Sequence, residues 1–152
     1  ARDPTNGGKL VTRALLQLSR GGSDAVHIKE FDLASNEFVG EEEDGEEAFV
    51  VGEAKTRISY KGRDVVLVGS DFGEGSLTDS GYPRTVKEWS RGTSIEDAPT
   101  IFEGEKTDVA VNGYIADERN WGGNLWQIHS RSVTFYTSKY RYRSLPPGEG
   151  EG

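Results

Sequence analysis

Short apolar or alternating runs, broken again and again by turns, are what most restrict this chain. Turn signals recur about every 8–12 residues, a spacing that suits a succession of short strands and leaves little room for helices. Arg20-Gly21-Gly22-Ser23-Asp24 reads as a turn, since glycine can take the positive φ of a tight reversal, and Lys61-Gly62-Arg63-Asp64 reads as a hairpin turn. Between such turns lie strand candidates at 10–18, 25–33, 38–39, 54–60, 65–68, 84–91, 100–103, 108–115, 125–129, 131–136 and 140–143. The first of these is long enough for a short helix as well, but the glycine turn that follows favours a strand. In the second, Val26 and Ile28 alternate with His27 and Lys29, while Phe31 and Leu33 fall out of phase by one, the mark of a bulge. Val65-Val66-Leu67-Val68 is continuously apolar, as expected of a strand covered on both faces. About ten short strands and no convincing helix indicate an all-β sandwich, barrel or propeller.

An internal repeat separates these architectures. Ile28-Lys29-Glu30-Phe31 matches Val86-Lys87-Glu88-Trp89 in character, position for position, 58 residues on. Each block leads through a small-residue turn to an apolar strand start, Phe38-Val39 in one case and Ile101-Phe102 in the other. Two further strands precede the second block. Strand, hairpin, strand, loop, strand, turn, strand is the grammar of a four-stranded propeller blade. The chain accordingly divides into an N-terminal loop (1–9), a partial blade with an acidic loop (10–52), a full blade (53–107), a partial blade (108–143) and a linker or loop end (144–152). That makes about two to three antiparallel blades.

Composition removes several classes of function. Charged residues make up 29% of the chain and its net charge is −8, which argues against nucleic acid and against an anionic membrane surface. Much of the negative charge lies in Glu41-Glu42-Glu43-Asp44-Gly45-Glu46-Glu47, which reads as a solvated loop. With no cysteine there is no disulfide, Cys-ligated zinc or Cys nucleophile, a usage compatible with the cytoplasm. No apolar run approaches the length of a membrane helix, and no signal-peptide pattern opens the chain. The start at Ala1 and the Pro/Gly/Glu-rich end both suggest a piece of something longer.

One long run carries a family resemblance. Glu53-Ala54-Lys55-Thr56 leads through Val68-Gly69-Ser70-Asp71-Phe72-Gly73-Glu74-Gly75-Ser76-Leu77-Thr78-Asp79-Ser80-Gly81-Tyr82-Pro83-Arg84 into Val86-Lys87-Glu88-Trp89-Ser90-Arg91-Gly92-Thr93. This resembles the N-terminal propeller domain of the prolyl oligopeptidase family of serine peptidases. Leu18-Ser19-Arg20-Gly21-Gly22-Ser23-Asp24-Ala25 and Arg131-Ser132-Val133-Thr134-Phe135-Tyr136 are similar to flanking stretches, in the family's order. The resemblance implies a seven-bladed propeller joined to an α/β-hydrolase domain of the same polypeptide. That domain carries a Ser-Asp-His triad and cleaves short peptides, often after proline. The propeller covers the active site and acts as a size filter.

No catalytic, cofactor-binding or metal-ligating residue is expected within this chain. Ser23, Ser70, Ser76 and Ser80 lie near glycines, but none has glycine at both −2 and +2, as a nucleophile elbow requires. His27 and His129 are the two histidines, and neither has a partner spacing that suggests a triad or a metal. Asp71, Glu74 and Asp79 lack the spacing of a calcium loop. Trp89, Trp121, Trp126, Tyr136, Tyr140 and Tyr142 suit blade core and inter-blade packing better than a ligand platform. Arg141 and Arg143 alternate with Tyr140 and Tyr142, which puts both arginines on one strand face. That face is either solvated or lines a cavity and holds peptide carboxylates. Two readings follow: a gating scaffold of a peptidase, or a stand-alone propeller-like protein-binding module. A few blades alone leave inter-blade faces and strand edges uncovered, so the isolated piece is expected to aggregate or oligomerise.

Overall fold

The computed structural model describes residues 11–40, 47–146 and 149. The loop at 1–9, nearly all of the acidic run and most of the C-terminal end fall outside the described residues. Among the described residues eleven strands form three antiparallel sheets, and the only helical element is one 3-10 turn at Arg119–Trp121.

The first sheet holds β1 (Arg13–Leu18), β2 (Val26–Asp32), β3 (Glu37–Phe38) and β4 (Val51–Ala54). Both β3 and β4 pair with the same side of β2, through Phe31↔Phe38 and Ile28↔Val51. They are two pieces of one outer strand, interrupted by the segment that carries the acidic run. The second sheet is a four-stranded meander of β5 (Arg57–Gly62), β6 (Val65–Gly69), β7 (Thr85–Ser90) and β8 (Thr100–Glu103). The third holds β9 (Ala110–Asp117), β10 (Leu125–Ser132) and β11 (Ser138–Leu145) in that order. The sheets do not close on one another, as expected of an open part of a propeller.

Three sequence expectations need correction. The stretch 54–60 is two strands rather than one, because Thr56 is fully buried between them with its hydroxyl 2.7 Å from Ser70 Oγ. The stretches 125–129 and 131–136 are one strand followed by a turn, since β10 pairs without a break as far as Ser132. The bulge does not fall at Phe31 and Leu33: β2 keeps a continuous register with β1, and its pairing shifts instead against β4, between Val26 and Ile28. Ile28 and Glu30 are the inward pair, at 0% and 1% exposure, so a carboxylate occupies the core position where an apolar residue was sought.

Two seams hold the sheets together. Ile28, Phe49 and Val51 from the first sheet and its insertion meet Val66, Val68 and Trp89 of the second. The opposite face of the second sheet presents Leu67 and Val86 to Val111 of β9. The repeated tetrads thus share a layout: Ile28 and Val86 each lead the face turned to the following sheet. At the second seam Gly113 makes close approach possible, because a Cβ there would lie 2.7 Å from Val86 Cγ1 and 3.2 Å from His129 Cδ2. Gly113→Ala is expected to destabilise this seam by about 1–3 kcal/mol through overpacking, measurable as faster hydrogen exchange along β9.

Candidate functional site

The seam between the second and third sheets changes character from strand to strand. On β9 the face toward the second sheet carries Val111 and Ile115, both apolar. On β10 the residues sharing that face are Gln127 and His129, and on β11 they are Arg143 and Arg141, directly paired with them. Alternation along paired strands puts these four side chains on one face. They line an open groove of about 440 Å³ together with Glu88 of β7 and Ile101 of β8.

The groove is internally wired. In the β5–β6 pairing the register shifts around Lys61, and a bulge of this kind re-aims a side chain. The Lys61 ammonium lies 2.9 Å from Glu88 and 3.0 Å from Glu149. Glu149 also receives Arg143 Nη2 at 2.7 Å. Hydrogen bonds from both of these cations hold its carboxyl below the usual carboxylate range. Arg143 donates to Gln127 Oε1 at 2.8 Å. The Gln127 amide therefore offers its N–H to His129 Nε2, 3.2 Å away, and the proton of the neutral ring sits on Nδ1. The imidazole stacks on Phe102 with centroids 4.7 Å apart.

Burial lowers the His129 pKa, and the charges of Arg141 and Arg143 lower it further, against a smaller opposing effect of Glu88. Arg141→Gln removes one of these cations, so the His129 pKa is expected to move up toward the ordinary value of about 6.5. A histidine-resolved NMR titration reads this directly.

The other residues singled out from sequence go elsewhere. Ser70 is buried against Thr56, Ser76 donates to the Gly73 carbonyl, and Ser23 Oγ accepts the Ala25 N–H; these are turn and core roles. Asp71 accepts the Gly73 N–H, and Asp79 lies 3.8 Å from Lys106. Among the described residues no group of three or more His, Asp or Glu side chains suits a metal ion. His27 is part-buried on the far face of β2, and its Nε2 has no hydrogen-bond partner among the described residues. Of the six aromatics assigned to packing, Trp89 is buried in the first seam, but Trp121, Tyr136, Tyr140 and Tyr142 are exposed. Tyr140 and Tyr142 stand on the outer face of the third sheet, and Trp126 meets Tyr142 edge to face there. The β10–β11 turn holds Phe135 and Tyr136 out in solvent.

Sequence reasoning missed the Glu30–Arg91 clasp at the first seam. Arg91 donates to both Glu30 oxygens, at 2.7 and 2.9 Å, and to Asp64 at 2.8 Å. Its guanidinium lies over the Phe49 ring, 4.4 Å from the centroid. Tyr60 and the Phe49 N–H complete the carboxylate's shell. Burial acts to raise the Glu30 pKa, and these hydrogen bonds outweigh it and leave it lowered. Burial and the bond to Glu30 push the Tyr60 phenol up. The available signal was a glutamate at an inward position and an arginine just past the repeated tetrad.

No family model matches the chain. A protein of Sinorhizobium fredii named as an uncharacterized peptidase is 38% identical over 104 residues, which cover 68% of this chain and 14% of that protein. A Rickettsia prowazekii protein, also named as an uncharacterized peptidase, is 30% identical over 105 residues, 66% of this chain and again 14% of the relative. The chain thus spans about one seventh of the curated relatives it matches. The solved structure of a post-proline cleaving enzyme from Rickettsia typhi superposes with a TM-score of 0.71 at 22% identity, over 91% of this chain and 22% of that one. Among the described residues no helix is long and apolar enough to cross a membrane. Peptidase relatives by sequence and a fold shared with a post-proline cleaving enzyme agree with the run from Glu53 to Thr93: this chain is related by sequence to peptidases, and its open antiparallel sheets have the fold of part of a β-propeller.

Proposed function

We propose that this chain is a segment of the non-catalytic propeller of a prolyl-oligopeptidase-like serine peptidase that hydrolyses short peptides in the cytoplasm. The observation that carries the reading is the pairing of peptidase relatives with open antiparallel sheets that match the fold of a post-proline cleaving enzyme. The role of the segment is to gate substrate entry. Its partner is an α/β-hydrolase domain of the same polypeptide, which supplies the triad. Within this chain His129 is tied to Gln127, a contact that suits a wall of the propeller.

A fluorophosphonate label applied to the native polypeptide tests the reading. Labelling outside residues 1–152, with cleavage of short proline-containing peptides and sparing of folded proteins, is the expected result. A native product that takes no label and cleaves no peptide overturns the peptidase assignment and leaves a protein-binding module. Equal cleavage of folded proteins overturns the gating role alone.

A further inference from the structure

The groove between the second and third sheets already holds one carboxylate, and it has a cation left over. Lys61 and Arg143 converge on Glu149, and Lys61 also holds Glu88. Three cations, Lys61, Arg141 and Arg143, therefore face two carboxylates. The Arg141 side chain makes no hydrogen bond or ion pair among the described residues and is exposed at the groove's rim. This local excess is unusual in a chain of net charge −8. From Arg119 to Pro146 the sequence holds Arg119, Arg131, Lys139, Arg141 and Arg143 and not one Asp or Glu. Such a stretch steers anions toward the groove.

The remaining lining suits a bound carboxylate. A guanidinium fork matches carboxylate geometry with two parallel N–H donors, and such charge-assisted bonds are the strong ones. His129 stands paired across from Arg141, with its Nδ1–H not engaged by any partner among the described residues. Ile101 offers an apolar contact on the opposite wall. A volume of about 440 Å³ accommodates one or two residues of a peptide.

We propose that this inter-sheet groove is a carboxylate-recognition site for peptides: Arg141, with His129 beside it, takes an incoming carboxylate as Lys61 and Arg143 take that of Glu149. The carboxylate comes either from an acidic side chain or from a free C-terminus. The proposal stands apart from the peptidase reading, since it concerns binding and not cleavage.

Three single-residue probes separate the sources in calorimetric titrations of the native polypeptide. N-acetylglutamate α-amide carries only a side-chain carboxylate, N-acetylglutamine carries only a terminal one, and N-acetylglutamine α-amide carries neither. Binding of the first, the second or both, with none of the third, is expected. Arg141→Gln should weaken the bound probe about tenfold or more, as loss of a charge-assisted bond requires, with Arg141→Lys between the two. Probe binding should also raise the His129 pKa, because a negative charge beside the ring favours its protonated form. Binding of the doubly neutral probe as tight as the others, or an affinity unchanged in Arg141→Gln, overturns the proposal, and so does a His129 titration indifferent to saturating probe. Because Arg141 is exposed at the sheet's rim, both variants should fold, and the His129 resonance reports whether they do.

Discussion

Arg91→Ala is expected to loosen the first sheet from the second by about 3–5 kcal/mol, the usual cost of removing one partner of a buried ion pair. The Glu30 side chain is wholly shielded from solvent, so losing Arg91 leaves an uncompensated charge in the seam. The variant also loses the bonds to Asp64, to the Arg63 carbonyl and to the Glu47 carbonyl. Hydrogen exchange in the native polypeptide should accelerate by about two to four orders of magnitude along β2 and β4 and change little along β10. A partner substitution sharpens the test. Glu30→Leu combined with Arg91→Met replaces the pair by apolar groups and should recover most of the loss, since such exchanges are often near neutral. The clasp also fixes a pH window. The Glu30 pKa is lowered in the folded state, so its contribution is fully present above the ordinary value of about 4.3 and is lost as pH falls through the depressed folded value. The first seam should therefore loosen under acid, and it should do so at a lower pH than solvent-exposed carboxylates titrate.

Phe49→Ala should cost a comparable amount, about 3–5 kcal/mol, for a different reason. The ring is fully buried, with Trp89 at 5.0 Å and Tyr60 at 6.3 Å between centroids, both edge to face. Truncation opens a cavity at the middle of the seam. It also removes the surface on which the Arg91 guanidinium rests. The two sites touch, so their effects should not add: Arg91→Ala with Phe49→Ala should fall short of the sum of the single changes. Denaturation midpoints of the four proteins measure the coupling. A fully additive result shows that the cation and the ring act independently.

The all-β architecture was legible because it rests on local chemistry. Gly21, Gly22 and the Gly62 hairpin mark reversals, and Val66, Leu67 and Val68 mark a strand covered on both faces; each is readable from neighbours in sequence. The tetrads at Ile28 and Val86 announced a repeated unit for the same reason. The clasp was not legible. Glu30 and Arg91 are 61 residues apart, and a glutamate in an alternating strand normally faces water. Their burial depends on two sheets meeting, a tertiary fact that no window of sequence contains. The groove was half legible. The Tyr-Arg alternation from Tyr140 to Arg143 placed both arginines on one face, but the register that sets them against His129 and Gln127 was not available. Nor was the bulge at Lys61, which sends that ammonium toward Glu88 instead of along its strand. The aromatics misled because propeller cores use such residues, while here several stand on an outer face of the third sheet.

The divided outer strand of the first sheet has a practical consequence. Its two halves, β3 and β4, each hold their own register against β2, through Phe31↔Phe38 on one side of the break and Ile28↔Val51 on the other. Neither pairing depends on the length of the chain that joins them. Loop closure grows costlier only slowly, by about 0.6 kcal/mol for each doubling of length. The segment between Gly40 and Glu47 is thus a natural port for engineering. A reporter domain or affinity tag spliced in there, or a new pair of termini opened there by circular permutation, should leave the blade's hydrogen-bond ladder in place.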